Sequence, residues 1–264
     1  TYPLKNGSDV NNLLSEIEKL MYTSFRPSHP GSLAHLDPPP LTISIIGDLI
    51  ASGLNNNLLA EELSPSISKL ENDICKWLSK KIGFNEDSGG IAASGGTLSN
   101  LNALVTAKYS SGLTFNNEAV MITSEDAHVS IKKSAKILGV EDKNIYIVHT
   151  DKNGCMHIPT FIKLLNSLIE SGRKIFAVVA TFGTTIRGAL DPINEIGNIC
   201  KEKKIWFHID ASIGGVFLLA NNKFDIINNF NVCNANSITI NPQKLIGIAK
   251  TSSLLLVSDF NTLK

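Results

Sequence analysis

The chain has 264 residues, of which 43% are hydrophobic and 18% are charged. These proportions are typical of a globular protein with a large buried core and exclude a wholly disordered chain. Lysine plus arginine and aspartate plus glutamate each total 24, so the formal net charge is zero. This balance argues against a nucleic-acid partner or an acidic membrane surface, and no apolar run approaches the roughly 20 residues that span a bilayer.

Four cysteines are scattered along the chain, at positions 75, 155, 200 and 233. They form no Cys-x-x-Cys pair and no spacing typical of metal ligands. We therefore expect reduced thiols, no bound metal and a cytoplasmic location.

Helical and proline-rich segments alternate over the first 80 residues. Apolar positions within residues 9–22 recur at helical spacing after a cap at Ser8 or Asp9. The prolines within residues 26–40 predict an extended loop. A second helix is predicted to begin at residues 64–65, where serine precedes a first-turn proline. The apolar stripe that we expect this helix to bury consists of Ile67, Leu70, Ile74, Trp77 and Leu78.

Strand and helix patterns alternate from residue 91 onward. Apolar runs of strand length lie at 119–123, 145–148, 175–180, 205–209, 237–240 and 253–257. Amphipathic helical patterns lie between several of them, at 98–109, 129–138, 158–169 and 192–203. This alternation predicts an α/β fold with a mostly parallel sheet and helices on both faces. Ligands bind at the carboxyl ends of the strands in such sheets, where Thr181, Asp210 and residues 241–244 fall.

A glycine-rich turn, Ser-Gly-Gly-Thr at 94–97, precedes the helix predicted at 98–109. Glycine lets backbone N–H groups approach an anion closely, and a helix start adds the positive end of its dipole. On its own, the tetrapeptide is more typical of a flexible turn with a hydroxyl cap. It lacks the lysine of a Walker loop and the glycine spacing of dinucleotide folds.

His128 and Asp210 each follow an apolar strand and allow two interpretations. His128 lies at a strand-to-helix junction, where it either caps the helix or packs its imidazole on a planar cofactor ring. Asp210 either caps the next helix or places its carboxylate beside a pyridine nitrogen, with Ser212 as a flanking hydroxyl. In the second case the negative charge favours the protonated ring, which can then accept electrons.

Lys244 follows the last-but-one predicted strand in the sequence Asn-Pro-Gln-Lys at 241–244, with Leu-Ile-Gly after it. In such apolar surroundings a desolvated lysine would have a lowered pKa and could form a Schiff base. We therefore take Lys244 as the candidate catalytic residue.

Taken in order, these motifs resemble the group II pyridoxal-phosphate-dependent amino-acid decarboxylases, which include the glutamate, aromatic-L-amino-acid, histidine and 2,4-diaminobutyrate decarboxylases. The resemblance extends over essentially the whole chain. It rests on Ser-Gly-Gly-Thr at 94–97, Ala-His at 127–128, Thr-Phe-Gly-Thr-Thr at 181–185, His-Ile-Asp-Ala at 208–211 and Asn-Pro-Gln-Lys at 241–244. It implies the large domain of the fold-type I, aminotransferase-like architecture, with pyridoxal 5'-phosphate (PLP) as cofactor.

By position, the resemblance also implies a role for each motif residue. Gly96 and Thr97 would hold the cofactor phosphate, and His128 would stack on the ring. Thr181 would contact the ring on its hydroxyl side.

At the other end of the site, Asp210 would pair with the pyridine nitrogen, with Ser212 beside it. Lys244 would form the Schiff base, and Asp210 and His128 would join it in catalysis. Gln243 stands where the family usually has histidine, and we expect it to contact the cofactor or substrate without titrating near neutral pH.

The resulting prediction is a homodimeric carboxy-lyase that converts an L-amino acid to its amine and CO₂. Two alternatives stay open: another reaction on the same fold, such as aminotransfer or carbon–sulfur cleavage, and a non-catalytic binding or scaffolding remnant. We expect residues 1–63 to form an N-terminal arm and residues 64–264 the PLP-binding domain. The chain is expected to be a piece of a longer protein whose C-terminal small domain lies outside it.

Overall fold

The computed structural model describes residues 5–33, 36–220 and 231–264. The chain divides into two compact units, Thr1–Pro39 and Pro40–Lys264. The first unit contains helix α1, Val10–Thr23, where a helix was predicted. Its N-cap is Asp9, whose Oδ1 accepts a hydrogen bond of 3.0 Å from the backbone N–H of Asn12.

The second unit is built on one seven-stranded sheet with the strand order β1-β7-β6-β5-β4-β2-β3. Strands β2 to β6 are parallel where they pair, whereas β7 runs antiparallel to both β6 and β1. The prediction of a mostly parallel sheet is confirmed. The strand bounds are β1 Gly89–Ala93, β2 Val120–Ser124, β3 Ile145–Val148, β4 Ile175–Thr181, β5 Trp206–Asp210, β6 Ser237–Ile240 and β7 Ser253–Val257.

Helices cover both faces of this sheet, as predicted. Alternate residues of each strand point to opposite faces, so Val178 and Ala180 pack with α6 and α7, whereas Ala177 and Val179 pack with α4 and α5. Among the described residues, none of the helices is both long enough and apolar enough to span a membrane. The helix bounds in this unit are α2 Thr42–Leu54, α3 Pro65–Lys81, α4 Gly96–Ser110, α5 Val129–Ile137, α6 Ile158–Glu170 and α7 Ile193–Lys203.

Helix α3 begins at Pro65 as predicted, but the predicted buried stripe is wrong. Leu78 is buried, Ile67 is half-buried, and Leu70, Ile74 and Trp77 are 54%, 42% and 59% exposed. The face that meets the sheet instead carries Cys75, Leu78, Ser79 and Ile82, which recur at intervals of three and four residues.

Ser64 occupies the N-cap position before Pro65 as predicted, but its side chain makes no capping hydrogen bond. Its Oγ donates to Asn56 Oδ1 over 3.0 Å instead. Helix α2 and strand β1 were not predicted. The other predicted helices and strands agree with the structure to within two residues at each end.

Phe161 on α6 offers a test of how strongly this core stabilises the fold, because it is fully buried. Its replacement by alanine should lower the free energy of unfolding by about 3–5 kcal/mol, through lost burial and the cavity left behind. Ile162→Ala is the matched control, since Ile162 is the next residue on the helix and is 38% exposed. That change should cost about 1 kcal/mol or less. Urea unfolding of both variants checks this expectation, and equal losses would contradict it.

Candidate active site

A cavity of about 590 Å³ lies at the carboxyl ends of β4, β5 and β6. Thr181 and Asp210 are the last residues of β4 and β5, and residues 241–244 follow β6. The structure therefore brings all of the sequence-predicted site residues to one place. The cavity is lined by Gly96, Thr97, His128, Thr181, Asp210, Ser212, Gln243 and Lys244, among others.

The start of α4 forms one end of the cavity. Gly96 and Thr97 are the first two residues of the helix, so their backbone N–H groups have no acceptor one turn earlier. A side chain at Gly96 would place its Cβ 2.7 Å from Asn241 Nδ2 and 2.8 Å from Ser212 Oγ. Glycine is required here because the loops after β5 and β6 approach the helix so closely. The N–H groups and the helix dipole make this end suited to an anion.

Asp210 is 3% exposed, and both of its carboxylate oxygens accept hydrogen bonds. Oδ1 accepts from the backbone N–H of Ser212 over 3.2 Å and from its Oγ over 2.7 Å. Oδ2 accepts from Asn100 Nδ2 over 2.9 Å. The bond to the Ser212 backbone is a local turn contact, and Asp210 does not cap the next helix, the 3-10 helix Gly214–Leu219, whose N-cap is Ile213. The carboxylate lines the cavity.

His128 caps a helix, which is one of its two interpretations. It is the N-cap of α5, and its Nδ1 accepts from the backbone N–H of Ser130 over 3.2 Å. The same nitrogen lies 2.8 Å from Ser130 Oγ. The imidazole nevertheless lines the cavity, and these bonds limit its rotation.

Thr181 presents an unsatisfied hydroxyl to the cavity. Its Oγ1 is buried and has no hydrogen-bond partner among the described residues, which is unusual for a buried polar atom. Its backbone is held by Asp191, whose Oδ2 accepts from the Thr181 N–H over 2.7 Å while Oδ1 accepts from the Met156 N–H over 2.6 Å. The strand end is therefore fixed, and the hydroxyl keeps a hydrogen-bonding capacity that no described residue uses.

Lys244 lies half-buried in a tight turn that begins at Asn241. The Lys244 N–H donates to the Asn241 carbonyl over 3.0 Å, and its own carbonyl accepts from Gly247 over 3.1 Å. Gln243 Oε1 accepts from the Ser252 N–H over 2.6 Å. The carboxamide oxygen of Gln243 is thus occupied by the protein, which leaves its N–H₂ group as the part that can donate.

Two buried residues near Asp210 were missed by the sequence analysis: Asn100 on α4 and His208 on β5. His208 Nε2 lies 3.1 Å from Asn100 Oδ1. Burial lowers the pKa of His208 to about 4, although Asp210 and the Ser237 backbone act in the opposite direction. Their positions in the sequence could have indicated both residues. His208 lies two residues before Asp210 on the same strand face, and Asn100 lies one helical turn after Gly96.

Residues 2–264 match the family model of the pyridoxal-dependent decarboxylase conserved domain. The chain belongs to this family. Acidic amino acid decarboxylase GADL1 of Xenopus tropicalis is 33% identical over 261 residues, which are 96% of this chain and 50% of that protein. The aromatic-L-amino-acid decarboxylase of Bacillus atrophaeus is 29% identical over 244 residues, with 91% and 50% covered. The chain thus spans about half the length of these curated relatives.

Solved structures agree with this membership. The glutamate decarboxylase domain of a diaminobutyrate-pyruvate transaminase and L-2,4-diaminobutyrate decarboxylase from Vibrio parahaemolyticus is 26% identical, with a TM-score of 0.91. The match covers 99% of this chain and 60% of that one. Mouse CSAD is 27% identical with a TM-score of 0.92, covering 99% and 56%. The predicted fold-type I architecture, the family and its pyridoxal phosphate cofactor are confirmed.

The cavity fits this cofactor in its donor set. An anion-binding helix start at Gly96 lies at one end, and the buried carboxylate of Asp210 also lines the cavity. The unpartnered hydroxyl of Thr181 and the amine of Lys244 complete the polar lining. Phosphate, pyridine nitrogen, ring hydroxyl and aldehyde are the four polar groups of pyridoxal phosphate, and each has a complementary group here.

Asp191 makes the stability of this site depend on pH. Burial raises its pKa from 3.8 to about 6, while the N–H groups of Thr181 and Met156 act to lower it. A raised pKa means that folding favours the protonated carboxyl. The protonated carboxyl therefore adds to the free energy of unfolding. This stabilisation is fully present below pH 3.8 and is lost as the pH rises through about 6. It is worth on the order of 3 kcal/mol.

We therefore expect the unfolding free energy of the wild type, relative to Asp191→Asn, to fall by up to about 3 kcal/mol between pH 4 and pH 7. The subtraction removes the contributions of other titrating groups, including His208. Urea unfolding of both proteins across this range gives the difference directly. A difference that does not change with pH would contradict the assignment to Asp191.

Proposed function

We propose that this protein decarboxylates an L-amino acid to the corresponding amine and CO₂ with pyridoxal phosphate. The observation that carries the proposal is the meeting, in one cavity, of a helix start, a buried carboxylate and a lysine. The family match over residues 2–264 supports it. We further propose that residues 64–264 form the cofactor-binding large domain after an N-terminal arm, since every residue that lines the cavity falls within 94–244.

Each site residue then has a physical task. The N–H groups of Gly96 and Thr97 bind the phosphate, and His128 packs against the ring. Asp210 holds a proton at the ring nitrogen by opposite-charge attraction. When bound, pyridoxal phosphate supplies an electron sink for the pair of electrons that the departing carboxylate leaves behind. Lys244 supplies the amine that links covalently to the cofactor.

Three other polar groups act on the ring, on the cofactor or substrate, and on Asp210. The Thr181 hydroxyl, which has no hydrogen-bond partner among the described residues, donates to or accepts from the ring hydroxyl. Gln243 keeps its N–H₂ group for the cofactor or substrate, because its oxygen is bound to Ser252. Ser212 keeps Asp210 from rotating through its two hydrogen bonds to Oδ1.

A homodimer is part of the proposal. Helix α2 buries none of its side chains, although six of its thirteen residues are isoleucine or leucine and are 46% to 72% exposed. Its start is joined to the loop after Lys244, since Leu41 N–H donates to the Gly247 carbonyl over 2.8 Å and Ala249 N–H donates to Ser44 Oγ over 2.8 Å. An apolar face of this size calls for a partner surface. A second copy on α2 would therefore lie next to the lysine loop.

The cytoplasmic location stays a prediction. It is supported by the four cysteines, which are all free thiols in the structure, with Cys75 and Cys200 buried. Burial raises the pKa of both thiols to about 12, which keeps them protonated and unreactive.

The covalent link to Lys244 is tested by borohydride reduction in the presence of pyridoxal phosphate, followed by peptide mapping. The wild type should carry the reduced adduct on Lys244, and Lys244→Ala should carry none. Lys133→Ala is the matched control, because Lys133 also lines the cavity and should not be needed for the adduct. An adduct that persists on another lysine in Lys244→Ala would contradict the assignment of Lys244 as the residue that links to the cofactor. Release of CO₂ from a panel of L-amino acids then tests the reaction itself.

The dimer is tested by placing charge on α2. The double variant Leu49→Glu, Ile50→Glu should convert a dimer to a monomer in sedimentation velocity, because burying two carboxylates opposes association. Phe115→Glu is the control, since Phe115 is 95% exposed in the loop between α4 and β2 and should leave the dimer intact. A wild type that sediments as a monomer, or a double variant that still dimerises, would refute the proposed interface.

A further inference from the structure

The side chain of Asn100 joins the two residues proposed to contact the cofactor ring. Its Nδ2 lies 2.9 Å from Asp210 Oδ2 and 3.0 Å from Ser130 Oγ. Ser130 Oγ lies in turn 2.8 Å from His128 Nδ1. Asn100 is 1% exposed, so these bonds cannot be exchanged for water without opening the fold.

The direction of each hydrogen bond follows from the carboxylate. An ionised Asp210 only accepts, so the amide N–H₂ of Asn100 must face it. Asn100 Oδ1 then faces His208 Nε2 at 3.1 Å, and His208 must donate from that nitrogen. On its other side, His208 Nδ1 lies 2.8 Å from Ser237 Oγ. Neutral histidine with its proton on Nε2 accepts there, so the Ser237 hydroxyl donates.

Trp206 sets the far end of this chain of bonds. Its Nε1 is purely a donor and lies 2.9 Å from Ser237 Oγ. Four successive groups therefore donate in one direction, from Trp206 through Ser237, His208 and Asn100 to Asp210. Aligned hydrogen bonds polarise one another in a buried site, which strengthens the last bond to the carboxylate.

All four of these groups are neutral. Burial, which lowers the pKa of His208 to about 4, keeps the imidazole uncharged at physiological pH. A buried cation at this place would compete with the ring nitrogen for the charge of Asp210. A neutral donor holds the carboxylate in place and leaves its negative charge for the ligand.

We propose that Asn100, held by His208, is a positioning residue that fixes Asp210 toward the ring nitrogen of pyridoxal phosphate and, through Ser130, fixes His128 toward the ring face. This inference rests on the proposed function, because it assumes that Asp210 pairs with the ring nitrogen. On this inference, Asn100 and His208 do more than pack in the core: they contribute to the preference for a cofactor that carries a ring nitrogen.

The test compares two ligands of the cofactor-free protein: pyridoxal phosphate and its analogue in which C–H replaces the ring nitrogen. Absorbance and fluorescence titration give both dissociation constants. The wild type should bind pyridoxal phosphate more tightly than the analogue, and Asp210→Asn should lose that preference. Asn100→Leu should raise the dissociation constant of pyridoxal phosphate about tenfold or more and leave that of the analogue nearly unchanged. The preference ratio, defined as the dissociation constant of the analogue divided by that of pyridoxal phosphate, should therefore fall. A general packing defect would weaken both ligands alike.

The histidine provides a rescue experiment. Glutamine in place of His208 still offers an N–H near the position of Nε2, so His208→Gln should keep most of the wild-type ratio, whereas His208→Leu should lose it. Thr106→Val is the matched control on α4, because the buried Thr106 hydroxyl donates to the Asn102 carbonyl one turn earlier and takes no part in the chain of bonds to Asp210. The preference ratio of this variant should equal that of the wild type. If Asn100→Leu does not fold, Asn100→Ala removes the same bonds without adding bulk.

The outcomes separate this inference from the proposed function. A wild type that does not bind pyridoxal phosphate, or shows no preference for the ring nitrogen, overturns both. A wild type that shows the preference, together with Asn100 variants that keep it or lose affinity for both ligands equally, overturns the inference alone. A ratio that falls in Asn100→Leu and His208→Leu and survives in His208→Gln supports it.

Discussion

A buried amide with three partners sets the geometry of this site. The side chain of Asn100 extends from α4 to Asp210 and His208 on β5 and to Ser130 on α5. An unpaired buried polar group costs about 1–3 kcal/mol, so the three elements are stable together only at the separation that satisfies all of these bonds. Because Gly96 and Asn100 lie on the same helix, this separation also fixes the distance from the anion-binding end to the carboxylate.

The other polar residues of the site lie in chain segments that end or begin at the same edge of the sheet. Thr181 and Asp210 close their strands, Lys244 follows the next one, and His128 begins a helix. The strands that precede them are almost wholly buried, and most of their residues are apolar. The apolar core therefore sets where the strands end, and the ends carry the chemistry.

Much of this arrangement could be predicted from sequence, for identifiable reasons. Strands β3 and β7 are almost entirely apolar, and β6 alternates isoleucine with serine and threonine. The predicted bounds of all three agree with the structure. The cavity residues were found because each lies in a short motif beside a recognisable strand or helix. Parallel-sheet geometry then requires such residues to meet at one edge.

What the sequence could not supply depends on contacts between distant segments. Strand β1 begins with two glycines, which disfavour a strand on local grounds, and it is stabilised by pairing with β7. Helix α2 has no side-chain cap, and its isoleucine and leucine residues outnumber a narrow polar stripe of Ser44, Asp48 and Ser52, so its local helical signals are weak. The roles of Asn100 and His208 depend on how closely α4 packs on β5, 108 residues apart along the chain.

The place of β7 in the sheet has a consequence for how the protein is made. Among the strands that the structure describes, β1 lies at the edge of the sheet and pairs with β7, which comes more than 150 residues later and also borders β6. On the ribosome, the segment at 89–93 therefore has to wait, with its backbone unpaired, until residues 253–257 have emerged. Pairing over such a long sequence separation is slow, because loop closure costs entropy before any contact is gained. The β2–β5 portion can assemble earlier, and β7 then completes the sheet by joining β1 to β6.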